Sequence, residues 1–158
     1  MKNLITKYLI IGLILSSLHG FSQLRTVEFN QLDSLQKEKP RTTLVFIHTD
    51  WCKFCAAMEN TTFQNSEIIK SLNEKYYFIS FDAESKDDIK LKGNTFRFQP
   101  SGNNTGTHEL ATQLGTINGE LSFPSLCFLN SNYEIIFQHN QFINSKDLLT
   151  VLTGLQEK

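Results

Sequence analysis

The strongest constraint on this chain is a short apolar run at 43–48 (TLVFIH). It is followed almost at once by Trp51-Cys52-Lys53-Phe54-Cys55 and a helix-like segment that continues to Asn60. A brief run of β-branched and aromatic residues is too short for a helix and reads as a buried strand. Such a strand needs cover on both faces, which points to layered α/β architecture. The strand also decides where the cysteines stand, because 51–60 then opens a helix on them. The first turn of a helix carries unpaired N–H groups and a partial positive charge. A thiolate there is stabilised, so Cys52 is expected to ionise more readily than a free thiol. Cys55 lies nearly one turn later on the same side, placed to attack a mixed disulfide formed at Cys52. The CxxC spacing alone is shared with zinc ribbons. CxxC between an apolar strand and an amphipathic helix is far more specific.

The rest of the chain alternates strands and helices, with no repeat and no low-complexity tract. A first strand is expected at 26–29 and a helix at 31–37, ending before Pro40. Asn65 or Ser66 caps a helix carrying Ile68, Ile69 and Leu72, and 76–82 (YYFISFD) is a second central strand. Alternation over 89–98 predicts a hairpin on Gly93-Asn94, pairing Leu91 with Phe96 and Ile89 with Phe98 on one face. In that register Lys90 opposes Arg97. A polar loop is expected at 100–106, then a helix at 108–114 capped by Thr107 and stopped by Gly115. Strands at 126–129 and 134–138 are joined by a short connection and should pair antiparallel, which makes the sheet mixed. Ser145 is expected to cap a final helix bearing Leu148, Leu149, Val151, Leu152 and Leu155.

The first residues read differently. Lys2 and Lys7 precede an apolar stretch at 8–18, and small residues follow at Gly20 and Ser22. That is the order of a secretory signal peptide, and the stretch is short of the ~20 apolar residues of a membrane span. The expected division is a signal peptide at 1–22 and one domain at 23–158, exported, with the periplasm as first destination and full secretion as second. No stable membrane insertion is expected after cleavage. The formal charge is −1, which offers no electrostatic reason to expect nucleic acid. Three cysteines are too few for a disulfide-built scaffold.

LVFIHTDWCKFC, the strand YYFISFD, the Phe123-Pro124 step before SLCFLN and the closing helix together resemble the thioredoxin superfamily, in an exported bacterial branch with WCxxC. The resemblance spans about 26–155, apart from an insertion at about 84–106. It implies a thioredoxin fold, a mixed central sheet flanked by helices, with a hairpin-containing insertion before the third-strand region. It also implies that Cys52 and Cys55 are the catalytic, redox-active disulfide pair. Pro124 is implied to be cis and to pack beside that pair, with Phe123 offering its backbone to substrate. Trp51 is implied to pack over the site, as lid or as substrate contact. Two positions depart from the pattern. Thioredoxins proper carry a buried Asp six positions before the first cysteine, where this chain has Phe46, and a buried Lys where it has Ser80. A proton leaving Cys55 therefore needs another route: water, His48 or Glu59.

The activity so implied is thiol–disulfide exchange on exported proteins, with no cofactor and no metal. The partners would be protein thiols and disulfides, plus a redox partner protein, membrane-bound or soluble, that resets the pair. Lys53-Phe54 matches neither the reducing nor the strongly oxidising dipeptide of the family, which leaves the direction of electron flow open. The competing readings are a non-catalytic protein-binding module and a metallochaperone. Cys127 sits in an apolar strand and reads as a small core residue.

Overall fold

A computed structural model describes residues 23–103 and 105–156. The expected signal peptide lies outside the described residues. Along the chain run α1 (Phe29–Glu38), β1 (Thr42–His48), α2 (Lys53–Asn60), a 3₁₀ turn (Thr62–Gln64), α3 (Ser66–Lys75) and β2 (Tyr76–Asp82). Four short strands follow: β3 (Ile89–Leu91), β4 (Asn94–Phe96), β5 (Phe98–Gly102) and β6 (Thr105–His108). The chain closes with α4 (Glu109–Gly115), β7 (Thr116–Ile117), β8 (Glu120–Leu121), β9 (Ser125–Leu129), β10 (Ile135–His139) and α5 (Ser145–Gly154).

The central sheet has the order β10-β9-β1-β2. β2 runs parallel to β1, while β9 runs antiparallel to β1 and β10 antiparallel to β9. The architecture is thus the mixed α/β sandwich of the thioredoxin fold. β1 is central, and its interior is buried on both faces. Leu44 and Phe46 join one cluster with Met58 of α2, Ile68 and Leu72 of α3, and Leu148 and Leu152 of α5. Val45 and Ile47 join the opposite cluster with Leu32 of α1 and Leu110 and Leu114 of α4. Alternation along one strand therefore feeds two cores. Among the described residues no helix is long and apolar enough to cross a membrane.

Several elements differ from the sequence expectation. Residues 26–28 form no strand; only the Val27 N–H reaches the β2 edge, donating to Phe78 O at 2.9 Å. A reciprocal cap between Glu28 and Gln31 starts a helix instead, and Phe29 buries its ring edge-on against Phe81 at 5.1 Å. The insertion hairpin exists, but its turn is Lys92-Gly93, with φ of 51° and 76°, so Leu91 pairs with Asn94 and Ile89 with Phe96. Lys90 then faces Thr95, and no like-charge pair arises. Docking explains the shift: the Lys92 N–H donates to Asp33 Oδ2 on α1, and its Nζ donates to Asn132 O at 3.1 Å. The expected polar loop at 100–106 largely belongs to a second hairpin, β5 with β6. Its polar side chains hid a backbone ladder. Gly106 is required there, since a Cβ would stand 2.4 Å from both Gln99 O and the Phe98 ring. His108 extends that ladder by pairing with Phe98, so it replaces Thr107 as the cap of α4, its Nδ1 accepting from Leu110 N at 3.2 Å. Asn144 rather than Ser145 caps α5, accepting from Asp147 N at 3.0 Å.

Candidate active site

β1 ends at His48, and a tight turn carries the chain into α2. The Cys52 N–H donates to Thr49 O at 3.1 Å. Cys52 is the N-cap of α2, not its first turn, and Cys55 is its third helical residue. The Cys52 Sγ accepts the Cys55 N–H at 3.1 Å, the bond an N-cap serine or aspartate oxygen would make. The two side chains form a disulfide, with Cα atoms 5.2 Å apart. Cys52 is 6% exposed and Cys55 1%, so the pair is unequal, and Cys52 is the more accessible residue.

Around the pair the surface is aromatic. Trp51 and Phe54 are each 65% exposed. Trp51 is a wall and not a closed lid. Its Nε1 donates to Glu84 Oε1 at 3.2 Å, and its ring meets the Phe123 ring edge-on at 6.0 Å. The Phe123–Pro124 peptide bond is cis, and Pro124 is buried at the start of β9. The loop is tied down on both sides. Ser125 Oγ donates to Ser122 O at 2.7 Å, and Ser122 Oγ donates to Asn140 O at 3.2 Å. Trp51, Cys52, Phe123 and Pro124, far apart in sequence, thus meet at one end of the sheet. From the sequence Phe54 counted only as half of the Lys53-Phe54 dipeptide, and Glu84 was not singled out. An apolar residue inside CxxC at an exposed helix start was the available signal for Phe54.

Phe46 packs in one cluster with both cysteines, and its direct cross-strand partner is the exposed Ser80. Phe46 is 1% exposed. Its ring packs on Phe63 at 4.9 Å and under the His48 ring at 5.1 Å. His48 Nε2 is engaged with Ser80 Oγ at 3.0 Å, and Glu59 is exposed on α2. Cys127 is fully buried in β9, and burial pushes its thiol up to about 12. At the end of β10, the His139 Nε2 is buried with no hydrogen-bond partner in the protein; no sequence motif pointed to His139. Among the described residues no three His, Cys, Asp or Glu side chains are grouped as metal ligands.

The family model described as "Thioredoxin-like domain" matches residues 29–155. This chain belongs to the thioredoxin-like family. Among solved structures, the thioredoxin-like chain is similar to the DsbH oxidoreductase, at 18% identity and a TM-score of 0.60, over 86% of this chain and 87% of that one. It is similar to a thioredoxin from Thermus thermophilus, at 16% identity and a TM-score of 0.59, over 84% and 87%. A putative disulphide-isomerase from Bacteroides thetaiotaomicron shares 20% identity and a TM-score of 0.57, over 85% and 93%. No curated protein matches the chain. At these identities the likeness is one of fold, and the cysteine pair at the head of α2 carries the argument about chemistry.

Proposed function

We propose that this thioredoxin-like protein is a thiol–disulfide oxidoreductase acting on disulfides of exported proteins through a Cys52/Cys55 cycle. The observation that carries the reading is Cys52 as an N-cap, its Sγ already accepting a helix N–H at the edge of an exposed aromatic rim. Reduction opens the cycle. The Cys52 thiolate is stabilised by that N–H and by the helix dipole. It attacks one sulfur of a substrate disulfide; a Cys52–substrate bond forms, and the other substrate sulfur leaves as a thiolate and takes a proton. Cys55 then attacks Cys52 Sγ, re-forms the internal disulfide and releases the second substrate sulfur. Two electrons pass to the substrate, and a redox partner protein returns them. The reverse sequence oxidises a dithiol. Reaction within one helical turn benefits from high effective concentration.

Substrate recognition falls to Trp51, Phe54 and the Phe123–Pro124 loop, which suit an apolar, extended stretch of polypeptide whose backbone pairs with Phe123. The exported setting rests on Lys2, Lys7 and the apolar stretch at 8–18. The test is non-reducing electrophoresis of the exported fraction. Cys55→Ser should accumulate mixed disulfides that collapse with reductant, and Cys52→Ser should trap few. Equal trapping by both variants would refute the assigned roles. Absence of trapping together with failure to reduce insulin would favour a non-catalytic binding module.

A further inference from the structure

The resolving step leaves one proton without a destination. Cys55 is 1% exposed, and its S–H must lose a proton as its sulfur attacks Cys52 Sγ. Phe46 and Ser80, facing each other across β1 and β2, offer no base at neutral pH. His48 Nε2 is engaged with Ser80 Oγ. Glu59 is exposed. No Asp, Glu, Lys or Arg among the described residues is buried. The buried His108 uses both ring nitrogens, one toward Leu110 N and one toward Asp87 O at 3.1 Å.

One group remains. His139 pairs with Leu126, Leu126 pairs with Phe46, and Phe46 pairs with Ser80, so the four form a single cross-strand row. Side chains directly opposite each other share a face of the sheet. On this face Leu126 and Phe46 pack in one cluster with Cys52 and Cys55. The period of two along β10 agrees. Phe137 packs against the same cluster, while Gln138 points the other way and donates to Leu114 O at 2.7 Å. His139 also lies at the active-site end of β10, next to Asn140, which accepts from Ser122 of the cis-proline loop. A buried ring nitrogen that no protein group satisfies is uncommon in native proteins and calls for an explanation.

We infer that His139 accepts the Cys55 proton in the resolving step, directly or through one water, in place of an acidic residue at position 46. This rests on the oxidoreductase reading above. Cys55 S–H gives its proton to Nε2. The Cys55–Cys52 bond forms, the Cys52–substrate bond breaks, and the substrate sulfur leaves with the electron pair and is protonated by the imidazolium or by solvent. The charged side chains of the helices on this face are exposed: Lys53 and Glu59 of α2, Glu67, Lys70, Glu74 and Lys75 of α3, and Lys146 and Asp147 of α5. Cys52 and His48 are the other titratable groups bearing on the step.

The test is a single turnover of the reduced protein with a disulfide-bonded peptide, quenched by acid and resolved by mass spectrometry. Parent, His139→Gln and His139→Phe are compared across pH. Formation of the Cys52 mixed disulfide should match the parent in both variants. Its decay should slow about 100-fold at neutral pH, the scale of a lost general base. The deficit should shrink as the pH rises beyond ~8.5, the value of a free thiol, because burial delays unaided ionisation. Decay at the parental rate in both variants would overturn the inference. So would slowing by the same factor at every pH, the mark of a packing defect. A parent that forms no mixed disulfide at all would overturn the oxidoreductase reading itself, and is told apart by that first phase.

Discussion

Replacing Phe46 by Asp restores the residue type that thioredoxins proper carry at this position, yet the structure argues that it would damage this protein. Phe46 is 1% exposed and in ring contact with Phe63 at 4.9 Å. Removing a buried Phe side chain costs about 3–5 kcal/mol. The new carboxyl would have Leu126 on one side and Ser80 on the other, with no Lys or Arg in the row and His139 one position beyond Leu126. A poorly satisfied buried polar group adds about 1–3 kcal/mol. The sum, roughly 4–8 kcal/mol, is comparable to the whole stability of an ordinary domain, ~5–15 kcal/mol. Phe46→Leu keeps an apolar side chain of similar volume and should cost about 1–2 kcal/mol. The pH dependence has a definite sign. Desolvation raises the pKa of the introduced carboxyl in the folded state above its unfolded value of ~3.9. The penalty is therefore smallest below pH ~4 and grows as the pH rises through the folded-state value. The assay is urea unfolding of parent and both variants at acidic and neutral pH, followed by far-ultraviolet circular dichroism and by the fluorescence of the single tryptophan. A loss below about 2 kcal/mol for Phe46→Asp at neutral pH would refute the reasoning, as would a penalty that shrinks with rising pH.

Two further outcomes follow from the same geometry. With its thiol pushed up to about 12 and no exposed surface, Cys127 should resist alkylation near pH 8 in the native protein and react only after denaturation; native-state labelling of Cys127 would contradict its placement in β9. At the insertion turn, Gly93 has φ of 76°, so Gly93→Ala should cost about 1 kcal/mol or more, whereas Asn94→Ala, in a strand position opposite Leu91, should cost a few tenths of that on the same unfolding curves. The opposite ranking would place the turn on Gly93-Asn94.

The fold was legible because its strongest signals are local. The β1 run, the CxxC at the following helix start, the β2 run and the closing leucines each announce an element within a few residues. The antiparallel pairing of β9 with β10 was legible from their short connection. Errors gathered where a local pattern admitted two answers. Alternation over 89–98 permits two hairpin registers, and the contacts of Lys92 with Asp33 and Asn132 chose between them. Polar side chains at 100–106 said nothing of the backbone pairing of β5 with β6, since a ladder is made by main-chain groups and needs no alternation of apolar residues.

The candidate site divides the same way. By itself the sequence singled out the Cys52/Cys55 pair, because helix-start chemistry depends only on what precedes and follows Cys52, and it marked Phe123-Pro124 as the second motif. It also exposed the missing base, since Phe46 and Ser80 can be read off their positions. Only the tertiary structure decided that Trp51 stands as an exposed wall tied to Glu84, and that His139 joins the Phe46 row with an unpaired ring nitrogen. The reason is physical. Cross-strand register joins residues nearly a hundred positions apart, and the partners of a buried polar atom depend on every element that packs around it.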